Sequence, residues 1–600
     1  MNKANPAPQR FGRGASTEKL SSERRKAVIF RLWKYLSQMR LPLIIIGVVV
    51  VLSNLFALIG PKLSEPAINA IRPGDVGFKT VFYYVGLMVG FYIASTCLTF
   101  LQSFLMTTVS KRITFNIRRD LFEKLSRLPV KFFDTHQSGE IISTMSYDVD
   151  TVSASLSADL IAICTALITV TGSFIMMLTI SRLLILVFVV TIPMSIVFSR
   201  YRAKKGRPLF RERSGKLGAM NGFAEESIGG FRTIKAYNKE EFFTEKFEEK
   251  NAAASDAYHR SDRHSCIAGP SVNFINNLSL AFISFFGALL YLYSPETLTL
   301  GAISSFVLYS RKFSGPINEI TNIYSEIQSA LAAGERVFRL MDEKEDTPDR
   351  IGATDEPITK GEIEFQNVKF GYTEDKIIIK NFNLKVKKGS VIAIVGHTGA
   401  GKTTIVNLLM RFYDVNEGRI LIDGIDVRDR KRDEMRKAFT MVLQDTWLFN
   451  GSVYDNIAYG SENVTEQNVR AVAERAKING FIESLQNGYH TEITDNGTNI
   501  SKGQKQLLTI ARAMLPKSVI LILDEATSNV DTRTEAKISD AMCKLMEGKT
   551  CFVIAHRLST IQNADVILVM KDGEVAESGR HEELLKKNGV YAELYYSQYK

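Results

Sequence analysis

Five stretches of this chain carry no charged residue: 41–61, 81–110, 160–181, 183–199 and 265–295. A bilayer core is crossed by a helix of roughly 18 to 20 apolar residues. In lipid every backbone N–H and C=O must be paired within the protein, so uncharged runs of this length fold as helices. A sixth stretch, about 298–324, is largely apolar but is interrupted by Arg311 and Lys312. Charge within a span is costly and by default marks a water-filled path, unless the side chains snorkel. We expect six spans, at about 41–61, 80–106, 158–180, 183–203, 265–293 and 298–324.

The gaps between spans are unequal. The second (111–159) and fourth (about 204–264) are long and polar, and their early parts are basic. Ten of the first 40 residues are Lys or Arg, against two Glu. Basic flanks stay on the cytoplasmic side, which places the N-terminus, both long loops and the C-terminal half inside. The first 40 residues are too polar for the apolar core of a cleavable signal. Helical patterns in the long loops imply that the spanning helices continue into the cytoplasm, with turns near 133–140 and 225–231 that either dock on a soluble domain or are solvated loops. The net charge of +11 is concentrated in such flanks, and no RNA- or DNA-binding motif accompanies it. Nucleic acid is therefore not an expected partner. The five cysteines show no C-x-x-C spacing, which argues against a zinc site or a disulfide framework.

The second half reads differently. Residues 391–395 form an apolar run, and Gly396-His397-Thr398-Gly399-Ala400-Gly401-Lys402-Thr403 follows at once. This fits the phosphate-loop pattern G-x-x-x-x-G-K-[ST] at every fixed position. The three glycines let the backbone turn its N–H groups toward phosphates. Thr404 begins a helix-compatible run whose positive N-terminal end faces the same anion. Lys402 is placed to reach the β- and γ-phosphates of ATP, and the Thr403 hydroxyl to bind Mg²⁺. A second apolar strand, 519–523, ends in Asp524-Glu525. After a phosphate loop, Asp524 is a candidate Mg²⁺ ligand and Glu525 a candidate general base for an attacking water.

With these motifs in place the chain resembles a half-transporter of the ATP-binding cassette superfamily, of the exporter type often called type IV. The likeness covers nearly all of it beyond the first 25 or so residues. It implies a fold of two parts: a membrane all-α, six-helix transmembrane domain with long cytoplasmic extensions, followed by an α/β phosphate-loop nucleotide-binding domain. The expected boundaries are a basic tail at 1–27, the transmembrane domain at 28–335, a linker at 336–358 and the nucleotide-binding domain at 359–600. The resemblance also implies roles for single residues. Tyr372 corresponds to the aromatic that stacks on adenine. Gln444 corresponds to the glutamine that touches Mg²⁺ and the attacking water. His556 corresponds to the switch histidine at the γ-phosphate, and 528–531 to the loop that crosses to the opposite site.

One motif departs from the family. Where Leu-Ser-Gly-Gly-Gln is usual, this chain has Ile500-Ser501-Lys502-Gly503-Gln504. Ser501, Gly503 and Gln504 are expected to meet ATP held by a partner chain, and Lys502 to crowd that approach or to hold ATP without turnover. The resemblance is then to the subunit with a degenerate signature in bacterial heterodimeric multidrug exporters. It implies a second, different half-transporter chain as partner, with a homodimer that tolerates the variant as the alternative. The expected activity is ATP hydrolysis coupled to export across the bacterial inner (cytoplasmic) membrane. The expected substrates are amphipathic: drug-like compounds, lipids or peptides. An ATP-gated regulator or an importer on the same fold are the other readings.

Overall fold

The protein was analysed as a computed structural model that describes residues 22–72, 75–293, 298–373, 376–444, 446–494, 500–524, 531–554 and 561–599. The chain forms two compact units, one of 1–128 with 133–345 and one of 129–132 with 346–600.

The first unit is helical. Five described helical runs are long and apolar enough to cross a membrane: Arg40–Asn69, Phe78–Ser126, Ser138–Ile180, Leu186–Gly229 and Glu240–Tyr293. The sixth, Leu300–Met341, is present as a 42-residue helix but is not among those five; Arg311 and Lys312 lie in its apolar first half. Phe78–Ser126 has 49 residues. At about 1.5 Å per residue it is roughly 70 Å long, more than twice the hydrocarbon thickness. Its charged end, from Lys111 onward, therefore projects well beyond the apolar segment. The short helix Val130–Thr135 follows this projection, and Phe231–Ala236 follows Leu186–Gly229. The second turn thus lies a few residues later than the sequence pattern indicates, because helix-compatible residues carry the preceding helix on to Gly229.

Polar ties fix the apolar helices against one another. Tyr309 Oη donates to the Leu58 carbonyl at 2.6 Å and Ser305 Oγ to that of Pro61 at 2.6 Å. In an apolar medium such bonds have no competition from bulk water. Gly301 approaches Arg40–Asn69 so closely that an added Cβ would lie 2.2 Å from the Glu65 carbonyl oxygen. Two short π-helical segments, Thr144–Asp148 and Ser155–Asp159, interrupt the third helical run. Asp148 ends the first of them, buried and bound bidentately by Arg336 at 2.8 and 2.5 Å. The N-terminal helix Ser22–Ser37 begins inside the expected tail and is held to the end of Leu300–Met341, with Arg31 bidentate on Asp342 at 2.8 and 2.6 Å. Residues 1–21 lie outside the described residues.

The second unit holds a six-stranded sheet in the order Glu574–Gly579, Val566–Lys571, Val391–Gly396, Thr550–Ile554, Ile520–Asp524, Phe439–Val442. All pairs are parallel except the first. A four-stranded antiparallel sheet carries Ile379–Val386, Ile363–Phe370, Glu417–Ile422 and Ile425–Asp426. The period of two along a strand sends alternate residues to opposite faces. Ile392, Ile394, Ile520, Ile522 and Phe552 pack toward the antiparallel sheet with Ile405, Val406 and Leu409 of the helix Lys402–Leu409. Ala393, Val395, Leu521, Leu523 and Val553 pack toward the other face, against Leu507, Ile510 and Ala511 of the helix Lys502–Met514. Both faces are covered, which is why these strands read as continuous apolar runs.

The linker expected at 336–358 begins later, since helix Leu300–Met341 runs on to Met341. Its acidic part is clipped to the second unit. Asp349 accepts from the Arg432 backbone N–H at 3.0 Å, from Arg432 Nη1 at 3.1 Å and from Arg411 Nη1 at 3.4 Å. The acidic run of the expected linker is thus paired with buried arginines.

Candidate phosphate-binding site

The parallel sheet delivers four strand ends to one edge. Register pairs Ile394 with Ile554, Ile554 with Asp524, and Leu523 with Val442. Gly396, Ile554, Asp524 and, two residues past its strand, Gln444 are thereby gathered from positions up to 158 residues apart in sequence. Ligands of open parallel sheets bind outside these carboxyl ends.

The loop from Gly396 to Gly401 crosses this edge. Gly396 has φ 151°, and an added Cβ would lie 2.4 Å from the Met570 carbonyl oxygen on the neighbouring strand. Gly399 has φ 85° with nothing within 4 Å of an added Cβ, so it needs glycine for its backbone alone. Gly401 starts the helix Lys402–Leu409 with no side-chain cap. The first N–H groups of a helix have no partner within it, so this end suits an anion.

A cavity of about 560 Å³ lies here, lined by Tyr372, Lys376, Ile378, Thr398, Gly399, Gly401, Lys402, Thr403, Thr404, Gln444, Asp524 and Ile554. Lys402 Nζ donates to the carbonyls of Gly396 at 2.7 Å and His397 at 3.1 Å, which curls its chain back over the loop. Burial pushes its ammonium pKa below the ordinary lysine value, against the pull of the Asp524 carboxylate. Ala400 is buried beneath the loop, while His397, Thr398 and Thr403 are exposed.

Tyr372 is half-buried. Its hydroxyl donates to Thr404 Oγ1 at 3.2 Å and accepts from Asn407 Nδ2 at 3.2 Å. Its ring meets Phe370 at 5.0 Å and Tyr413 at 4.9 Å, both edge to face. The Thr404 side chain is therefore engaged with Tyr372. Asn407 and Tyr413, which hold the tyrosine, and Lys376 and Ile378, which line the cavity, carry no motif that would single them out in the sequence.

Thr403, Gln444 and Asp524 supply a hydroxyl, an amide and a carboxylate to the cavity wall. This oxygen set suits a hard cation such as Mg²⁺, which keeps waters and phosphate oxygens among its ligands. Among the described residues no group of three His, Cys, Asp or Glu could hold a metal by itself. The candidate base Glu525, the candidate switch His556 and residues 528–530 lie outside the described residues.

The signature segment stands apart from this cavity, whose described lining includes none of Ser501, Gly503 and Gln504. Ser501 caps the helix Lys502–Met514. Its Oγ accepts from the Gln504 N–H at 3.3 Å, and Gln504 Oε1 accepts from the Ser501 N–H at 3.0 Å. Gly503 is buried, and Lys502 is exposed at the first helical position. Lys502 is not among the residues with positive φ. The backbone here does not demand glycine, so the substitution acts through the bulk and charge of its side chain.

Fold and site together define a membrane-spanning phosphate-loop ATPase. Family models described as ABC transporter transmembrane region and ABC transporter match residues 43–317 and 379–528. The chain belongs to the ABC transporters, as an exporter half-transporter that couples ATP hydrolysis to transport. It is 41% identical to the uncharacterized ABC transporter ATP-binding protein YfiC of Bacillus subtilis (strain 168), over 96% of this chain and 94% of that one. It is 38% identical to a fatty acid ABC transporter ATP-binding/permease protein of Mycobacterium bovis, over 88% of this chain and 83% of that one. A solved bacterial Atm1-family ABC exporter with ATP bound superposes with a TM-score of 0.76 at 30% identity, covering 94% of this chain and 99% of that one.

Proposed function

We infer that this chain is one half of a heterodimeric exporter of amphipathic compounds in the bacterial inner membrane, with its nucleotide-binding unit in the cytoplasm. The observation that carries the reading is the asymmetry of its motifs. Lys402, Thr403, Gln444 and Asp524 line one cavity, while the signature segment carries Lys502. In a head-to-tail dimer each site joins one chain's phosphate loop to the other's signature. This chain's loop then completes a competent site with an intact signature from a different chain. Its own signature completes a slower site, where Ser501, Gly503 and Gln504 face the partner's ATP.

Within the competent site, Gly396 to Thr404 cradle the phosphates and Lys402 turns from the loop carbonyls to the β- and γ-phosphates. Tyr372 offers a ring to adenine. Thr403, Gln444 and Asp524 hold Mg²⁺, which supplies charge neutralisation at the phosphates. Glu525 accepts a proton from the attacking water and His556 contacts the γ-phosphate. Amphipathic cargo is supported by the relatives, among them the fatty acid transporter and an ATP-dependent lipid A-core flippase of Photorhabdus laumondii, 34% identical over 95% of this chain and 97% of that one.

The test is to purify the chain alone and with the product of a neighbouring half-transporter gene, and to compare Mg-ATPase rates in lipid. Activity that appears only with the second chain supports the heterodimer. Full activity of the chain alone overturns it and favours a homodimer that tolerates Lys502. In the active assembly, Glu525→Gln should keep ATP binding and nearly abolish turnover; substantial residual hydrolysis removes Glu525 as the base.

A further inference from the structure

Arg311 lies eleven residues beyond Leu300, about 17 Å along the helix axis at about 1.5 Å per residue. Ser305 meets Pro61 and Tyr309 meets Leu58, so Arg311 lies within the uncharged 41–61 run of that neighbouring helix, about 8 Å from its Pro61 end at about 1.5 Å per residue. The inward face of this helix is set by Ala302, Phe306, Tyr309 and Phe313, all buried and spaced by four, three and four residues. Arg311 is exposed away from that face, and Lys312 is half-buried on its flank. One turn on, an added Cβ at Gly315 would meet nothing within 4 Å, so the surface beside Arg311 stays open. One turn back, Val307 and Leu308 are partly exposed and apolar.

Among the described residues, neither Arg311 nor Lys312 has an ion pair or hydrogen bond. Two adjacent cations within a span repel each other, and each is costly unless it meets water or an anion. A single oxyanion shared between them removes both penalties. The guanidinium fork fits the paired oxygens of a carboxylate, phosphate or sulfonate, and the ammonium adds a point charge. Val307 and Leu308, four and three residues before Arg311, share its side of the helix and offer apolar surface to an attached chain.

We propose that Arg311 and Lys312 form the recognition site for the anionic headgroup of an amphipathic substrate. This rests on the reading of the chain as an exporter of amphipathic compounds, and it narrows the cargo to acyl or alkyl anions. The headgroup chemistry is common to a free amphiphile and to an anionic bilayer lipid.

The experiment uses the full chain, with its partner subunit, in phosphatidylcholine nanodiscs. Binding of labelled hexadecyl sulfonate is compared with that of hexadecanol, which has the same chain length and no charge. The wild type should prefer the sulfonate by at least about tenfold, the scale of one hydrogen bond to a charged group. Arg311→Gln with Lys312→Gln should bring the ratio near one, and Arg311→Lys with Lys312→Arg should retain a preference. A wild-type ratio near one overturns the proposal, even if the neutral variant fails to assemble. A ratio unchanged in the neutral variant overturns it as well. Adding dioleoyl phosphatidylglycerol identifies the source: displacement of the sulfonate assigns the site to a bilayer lipid, and persistence assigns it to a free amphiphile. ATP-driven uptake of the labelled sulfonate and of a neutral amphipathic dye into inside-out vesicles is measured alongside. Dye uptake with a ratio near one removes the headgroup site and leaves the exporter reading standing. Sulfonate preference without any ATP-driven uptake removes the exporter reading and leaves the site.

Discussion

Two glycines of the phosphate loop should respond differently to the same methyl group. At Gly399, with φ 85° and open space around an added Cβ, alanine meets only a backbone penalty. The left-handed conformation costs a non-glycine residue about 1–2 kcal/mol. A stiffer unfolded chain returns about 0.4–1 kcal/mol, so Gly399→Ala should destabilise by about 1 kcal/mol. At Gly396 the backbone penalty recurs at φ 151°, and the methyl also lies 2.4 Å from the Met570 carbonyl oxygen. That oxygen belongs to a strand paired in parallel with Val391–Gly396, so it cannot swing aside as a side-chain end would. Overpacking adds about 1–3 kcal/mol, which gives about 3 kcal/mol for Gly396→Ala. For a unit of this size each kcal/mol shifts the melting midpoint by about 2–4 °C. Scanning calorimetry of the fragment 346–600 should show losses of about 3 °C for Gly399→Ala and about 9 °C for Gly396→Ala. Equal losses, or a larger loss at Gly399, would refute the steric reasoning. Nucleotide titration should invert the emphasis, since the Gly399 methyl projects into the cavity and weakens binding in a protein that still folds.

Other perturbations probe the same architecture. Lys402→Met removes a charged donor from the phosphates and should weaken ATP binding by about tenfold to about 150-fold, read by displacement of a fluorescent nucleotide; a change under about threefold removes Lys402 from the site. Asp349→Ala leaves Arg411 and Arg432 without a carboxylate that both use, and should lower the stability of fragment 346–600 in urea by about 2–3 kcal/mol. No loss would mean that the acidic segment is a passive connector. Asp148→Asn breaks the bidentate pair with Arg336 and should raise hydrogen exchange through the π-helical segment 144–148 while leaving 391–396 unchanged. On the proposed heterodimer reading, Lys502→Gly should raise turnover at the slower site several-fold, and an unchanged rate would show that Lys502 does not set it.

Much of this was readable because the motifs and their supporting elements lie close together in sequence. The apolar run before Gly396, the glycines and Lys402-Thr403 specify strand, loop and helix within a short stretch, and the structure forms them there. The apolar spans were equally plain, since lipid leaves helices as the solution. Asp524 was flagged by the apolar strand it ends, whereas the place of Gln444 beside the loop was legible only through a resemblance. What joins them physically is the register of a parallel sheet, set by strands far apart in the chain. The acidic segment after Met341 read only as a linker because its arginine partners come some 60 to 85 residues later in the chain. Asn407 and Tyr413 were invisible for a similar reason, being ordinary residues of a helix and a loop until packing brings them to Tyr372.

The signature segment shows how far a single chain can be read. Ser501 and Gln504 bond to each other across the start of their helix, which satisfies two backbone N–H groups with no ligand present. That capping box is a complete local explanation of why both residues are there, and it would hold in a protein that bound nothing. What it does not explain is Lys502. A cation at the first position of a helix opposes the helix dipole by about 0.3–1 kcal/mol. On the helix-dipole term alone a neutral residue is favoured at this position. A bound polyphosphate reverses the sign, because the anion meets the dipole and the lysine together. Stability and ligand binding thus pull in opposite directions at Lys502. Lys502→Ala should raise the melting midpoint of the chain without nucleotide and lower the gain in midpoint that ATP gives the assembled dimer. A midpoint that falls in both conditions would place Lys502 in the fold alone and leave the second ATP site without its distinguishing residue.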